Sequence, residues 1–160
     1  MSLVINLLVA DDVIENAQNS LYESMVSVTE QETFSPPWRL PLLGDDFVEI
    51  QAEFLNSSLE VKKKLMDSVA TSSFDLIVLD NNWYGDKRWG TDLIIEIHRA
   101  GIQHPPIVLY SIEFLIPHLA DALKHGALAA VQKTDHYHFM NILISIAIAK
   151  QEKLKQLIQE

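Results

Sequence analysis

Cysteine is absent from the 160 residues, which excludes disulfides, thiolate nucleophiles and thiolate metal sites while leaving the redox compartment open. Basic residues are scarce. Lys and Arg number 12 against 22 Asp and Glu, a net charge of -10, and no basic stripe exists to neutralise a nucleic-acid backbone, so no nucleic-acid partner is expected for this chain. Long hydrophobic runs are missing as well: the apolar stretches fall well short of a membrane span, and no membrane partner is expected. No segment near the start couples a basic flank to an apolar run, and the expected location is cytoplasmic. No internal repeat or low-complexity tract is evident.

What is present is the balance of a globular protein, 48% hydrophobic and 21% charged, in a length that suits one well-buried domain over 1–160. Short apolar runs alternate with amphipathic segments, the pattern of βαβ units on a parallel sheet. Five units can be counted. After a first strand at Val4 to Ala10, Ile14, Ala17, Leu21 and Met25 recur at helical spacing, with Asp12 placed to cap that helix. A second strand from Phe47 to about Gln51 leads to a helix carrying Leu59, Leu65, Met66 and Val69. A third, Phe74 to Leu79, leads to a helix with Leu93, Ile94 and Ile97 that stops near Gly101. The fourth ends at Tyr110, and its helix starts late, with Pro117 in the first turn, and stops before Gly126. The fifth leads to a long helix from about Tyr137 to Ile158. The expected fold is a doubly wound α/β domain with a five-stranded parallel sheet in the flavodoxin-like order 2-1-3-4-5.

Two stretches depart from the alternation. Residues 29–46, with Pro36, Pro37, Trp38 and Pro41, suit neither a helix nor a central strand; they read as an insertion, either a surface loop pinned by Trp38 or a loop that binds a partner. The final helix is apolar nearly all round from Phe139 to Ala149. Beyond Lys150 only Leu154, Leu157 and Ile158 continue a narrow apolar stripe, so 150–160 reads as a helical extension toward a partner helix or a linker.

Four apolar runs end on polar residues: the first on Asp11 and Asp12, the third on Asp80, the fourth on Ser111 and the fifth on Lys133. On parallel strands these side chains converge at the carboxyl ends, where open α/β sheets bind ligands. Taken singly, each has a plain explanation. Asp11 and Asp12 could cap a helix, Asp80 with Asn81, Asn82 and Gly85 could form a turn, Ser111 could be a cap, and Lys133 a solvated cation. Taken jointly, three carboxylates, a hydroxyl and an ammonium form an inventory for magnesium and a phosphoryl group. The six histidines are scattered, and His136 and His138, two apart, fall on different sides of a helix, so they read as ordinary histidines.

The motifs Leu7-Leu8-Val9-Ala10-Asp11-Asp12 and Asp75-Leu76-Ile77-Val78-Leu79-Asp80, the Ser111 position, and Gly126-Ala127 with Lys133 beyond resemble the receiver domains of two-component response regulators. The resemblance covers nearly the whole chain except the insertion and the last helical turns. It implies that Asp80 is the phosphoacceptor, that Asp11, Asp12 and the Asn82 backbone carbonyl join Asp80 in holding Mg2+, and that Ser111 and Lys133 contact phosphoryl oxygens. It implies that Asn82 and Glu113 tune dephosphorylation. It further implies a histidine kinase or phosphotransfer protein as donor and a downstream protein target or fused output domain; the apolar final helix adds the expectation of a homodimer through helix four, strand five and helix five. The chain would then be a phosphoprotein switch rather than a turnover enzyme. Against the family pattern, the loop after Asp80 lacks proline and carries Trp83, Tyr84 and Trp89, Ala130 stands where a switch aromatic is common, and Thr134 follows Lys133. Those departures motivate the alternative of a degenerate receiver acting as a phosphorylation-independent interaction module. A phosphatase resembling the haloacid dehalogenase superfamily would need a second acid where Asn82 stands.

Overall fold

The computed structural model describes residues 3–28, 36–41, 46–113 and 116–159. Strands β1 (Leu3–Ala10), β3 (Phe47–Leu55), β4 (Leu76–Asp80), β5 (Ile107–Ser111) and β6 (Ala129–Gln132) are joined by helices α1 (Ile14–Val28), α2 (Ser58–Leu65), α3 (Ser68–Thr71), α4 (Trp89–Arg99) and α5 (Ile116–Lys124), and α6 (His136–Gln159) closes the described chain. These five strands are mutually parallel and lie in the order β3-β1-β4-β5-β6, the expected 2-1-3-4-5 arrangement.

The sheet has a sixth strand. Trp38–Pro41 forms β2, antiparallel to β3 at the sheet edge, so the expectation of five strands is corrected here. An edge strand is where prolines are tolerated, since one side of its backbone has no ladder to keep. Trp38 and Leu40 point inward and are buried while Arg39 and Pro41 are exposed, a period of two that fits one strand face on a core. The remainder of the expected insertion, 29–35 and 42–45, lies outside the described residues.

Period-two alternation divides the core between the faces of the sheet. Ile5, Leu7 and Val9 of β1, Val78 of β4 and Tyr110 of β5 pack under Ala17, Leu21 and Met25 of α1 and Phe139, Met140, Leu143 and Ala147 of α6. Leu8, Ile77, Leu79 and Leu109 face Val61 and Leu65 of α2, Leu93, Ile94 and Ile97 of α4, and Ala122 of α5. A strand covered on both sides reads as a continuous apolar run, which is why β1, β4 and β5 stood out in the sequence.

The expected single helix after the second strand is two. Asp67 accepts from the amides of Val69 and Ala70 and starts α3 afresh, which resets the helical phase. Leu59 and Val69, expected on the buried face, are 77% and 78% exposed. Gly101, at φ 66, follows the α4 C-cap Ala100 as expected. In α6, Leu157 and Ile158 are exposed beyond the last buried residue, Ala147.

Candidate functional site

Register brings the polar strand ends together. Ala10 lies beside Leu79, Asp80 beside Tyr110 and Ser111 beside Gln132. Asp11 therefore leaves β1 at the level of Asp80, and Lys133 leaves β6 one step beyond Ser111, whose carbonyl accepts from the Lys133 amide at 2.9 Å. The residues line one cleft of about 550 Å³ that contains Asp11, Asp12, Asp80, Asn82, Ser111, Glu113 and Lys133. Ser111 is buried and Glu113 exposed.

Carboxylate oxygens of Asp11, Asp12 and Asp80 all lie within 4.8 Å of one another. The Lys133 ammonium donates to Asp11 Oδ2 at 2.7 Å and to Asp80 Oδ2 at 3.2 Å. The second oxygens of those acids take backbone donors: Asp80 Oδ1 accepts from the Asn82 amide at 3.1 Å and Asp11 Oδ1 from the Val13 amide at 2.9 Å. Asp12 does not cap α1 as expected. Its Oδ2 instead accepts from the amide of Tyr84 at 3.1 Å, across the cleft.

One ammonium against three carboxylates leaves the cluster short of positive charge. Asp80 is 6% exposed, and burial pushes its carboxyl up to about 7 against the pull of Lys133, with the smaller repulsion of Asp11 adding to the rise. For Lys133, burial alone would lower the ammonium, but Asp80 and Asp11 outweigh it and hold it above the ordinary lysine value. Three hard oxygen donors packed this closely, with a net negative charge, fit a hard divalent cation such as Mg2+. Asp11, Asp12 and Asp80 are the residues able to hold it.

The segment after Asp80 is built unlike an ordinary turn. Trp83 and Asp86 exchange amide-to-carbonyl bonds of 3.0 and 2.8 Å around Tyr84 and Gly85, whose φ values are 49 and 83. Two successive left-handed residues define a type I′ hairpin turn. The Trp83 indole is buried, donates to the Asp80 carbonyl at 2.9 Å and stacks on Trp89 with centroids 4.5 Å apart. Asn81 Oδ1 accepts from the amide and hydroxyl of Thr91, and a Cβ on Gly90 would sit 2.5 Å from the Asp80 carbonyl oxygen. The start of α4 is thus seated directly on the chain leaving Asp80, and only glycine fits the contact.

Sequence reasoning missed six lining residues: Val13, Asn16, Gly85 as a wall rather than a turn, Lys87, Ile112 and His118. Lys87 and His118 carry no sequence signal, since each sits in a loop or helix whose approach to the cleft is tertiary. The Tyr84 amide is a backbone group and likewise leaves none.

No family model matches the sequence, and no curated protein matches it. Solved structures do match in shape. A response regulator receiver protein from Pseudoalteromonas atlantica superposes with a TM-score of 0.63 at 12% identity, covering 91% of this chain and 98% of that one. The chain has the receiver fold. The receiver domain of a Francisella response regulator gives 0.59 at 17% identity over 91% and 98% of the two chains. A two-component response regulator from Clostridium difficile gives 0.57 at 16% over 92% and 98%. Among the described residues no helix is long and apolar enough to cross a membrane.

Proposed function

We propose that this receiver-fold chain accepts a phosphoryl group on Asp80 in a Mg2+-dependent reaction and thereby shifts a protein-interaction surface. The observation that carries the reading is the charge imbalance at the strand ends, where one ammonium is shared by Asp11 and Asp80 and three carboxylates crowd within 4.8 Å. Mg2+, held by Asp11, Asp12, Asp80 and the Asn82 backbone carbonyl, would supply the charge that keeps Asp80 ionised and offsets the incoming phosphoryl oxygens.

An Asp80 carboxylate oxygen attacks phosphorus, the bond from phosphorus to the donor breaks, and the donor group leaves with the electron pair and takes a proton from solvent. The product is an acyl phosphate. A histidine kinase or phosphotransfer protein is the donor this chemistry suits. Lys133, fixed on Asp11 and Asp80, pairs with one phosphoryl oxygen, and the Ser111 hydroxyl donates to another. The added charge and acceptor atoms redistribute the loop after Ser111 between conformations. Glu113 and Asn82, on the cleft wall, set how readily water reaches the acyl phosphate, so loss of the phosphoryl group is autocatalytic rather than a turnover of outside substrate. The output is a downstream protein target or fused output domain, with a homodimer as one possible form, and the setting is cytoplasmic.

Incubation with Mg2+ and acetyl phosphate tests this: one phosphoryl mass should appear on the intact chain and be absent from Asp80→Asn. A second reading, an interaction module that no longer uses phosphorylation, is favoured by one observation. Ala130 offers no aromatic to swing, and Tyr110 is buried against Phe139 at 5.4 Å. Partner capture that is identical with and without phosphorylation would select it.

A further inference from the structure

Tyr84 is the one non-glycine residue with positive φ among the described residues. A bulky side chain in the left-handed region is a genuine outlier, retained when surrounding contacts over-determine it, and such strain gathers at working sites. The contacts here are specific. The Tyr84 amide donates to Asp12 Oδ2 at 3.1 Å, and its hydroxyl donates to the Asn56 carbonyl at 3.0 Å. Asn56 lies between β3 and α2. The residue is 70% exposed, so apolar burial does not explain the conformation.

We propose that Tyr84 is a positioning residue for cation binding: the hairpin is a strap, anchored at Asn56 by the phenol, that presses its amide on Asp12 and fixes how that carboxylate faces the cluster. The inference rests on the Mg2+ reading of the site given above and deepens it. Asp12 is the one acid of the three that Lys133 does not reach, and it is only half-buried. Without the Tyr84 amide, its side chain would be free to rotate toward solvent. At its other end the strap is held by Trp83 on the Asp80 carbonyl and by Arg88, which pairs with Asp121 of α5 and, at 2.8 Å, with Asp92. A carboxylate oriented in advance binds a cation with less loss of freedom, and partners that orient a ligand are commonly worth tenfold or more in affinity.

The test uses the full chain and Mg2+ alone as probe, followed by calorimetric titration. Tyr84→Phe keeps the ring and removes the anchor; Tyr84→Gly removes both and is free of strain at this φ. Both should raise the Mg2+ dissociation constant roughly tenfold or more. In acetyl phosphate reactions, the Mg2+ concentration for half-maximal rate should rise by the same factor while the rate at saturating Mg2+ stays that of the native chain. Unchanged dissociation constants in both variants overturn the proposal. A lowered maximal rate with an unchanged half-saturation point also overturns it, because that pattern marks general damage. If the native chain itself binds no Mg2+, the phosphoacceptor reading fails first and the strap with it.

Discussion

Two lysines bridge to aspartates at opposite ends of the same sheet, and they differ in charge balance. At the amino end, Lys150 of α6 donates to Asp75 Oδ2 at 3.0 Å and to the Val4 carbonyl at 2.7 Å, while Asp75 Oδ2 also accepts from the Asn6 amide. One cation meets one anion, and their remaining bonds go to backbone. At the carboxyl end, Lys133 serves two acids with a third close by. The first arrangement ties α6 to β1 and the chain before β4 and asks for nothing more. The second leaves negative charge that its one ammonium does not balance. A lysine and an aspartate in contact carry little functional information; surplus charge that the protein itself does not neutralise carries much.

The sharpest break of the comparison is Asp80→Asn, expected to abolish phosphorylation completely as read by intact mass, while Asp75→Asn leaves it at the native level. Lys133→Met should follow, slowing acetyl phosphate labelling by about a hundredfold or more, the usual scale for removing a charge-stabilising group. Lys150→Met should leave that rate untouched.

A smaller effect appears in stability. Burial lifts the Asp80 carboxyl to about 7 in the folded chain, above its value of about 3.9 when unfolded, so the native state holds this proton more tightly. That stabilisation is complete below about pH 4 and is lost as pH rises through about 7, a change of up to a few kcal/mol. Thermal melting without divalent ions should give a Tm that falls between about pH 5 and pH 8 through this group. Mg2+ should reduce the fall, and Asp80→Asn should flatten it. An Asp80→Asn profile parallel to the native one would remove the electrostatic half of the contrast. Last comes Lys150→Met, which strands Asp75 and the Val4 carbonyl and should cost about 1–3 kcal/mol in denaturant unfolding.

Elements with a strong local period were legible in the sequence. The runs at β1, β4 and β5 are buried on both faces, and α4 carries Leu93, Ile94 and Ile97 in phase, with Gly101 after its C-cap. The misreadings fall where a local signal was reset or supplied from afar. The Asp67 cap broke one apparent helix into two and left Val69 exposed in the second, while Leu59 falls off the Val61 and Leu65 face of α2. Trp38–Pro41 looked irregular because of its prolines and became a strand only by pairing with β3. The polar set at the strand ends was visible as residue types in order, but Tyr84 on Asp12 and the approach of Lys87 and His118 were not.

The amino-acid order by itself determined where the five parallel strands lie and which polar residues follow them, because period and apolar content are local properties of side chains. Only the tertiary structure decided that Lys133 touches both Asp11 and Asp80, that Asp12 answers to a hairpin amide instead of its own helix, and that Asp75 is already satisfied. Those outcomes depend on register and on the crossing of distant loops. Coulombic and hydrogen-bond energies fall away within a few ångströms, so a displacement too small to alter any sequence pattern separates a balanced ion pair from an unbalanced one.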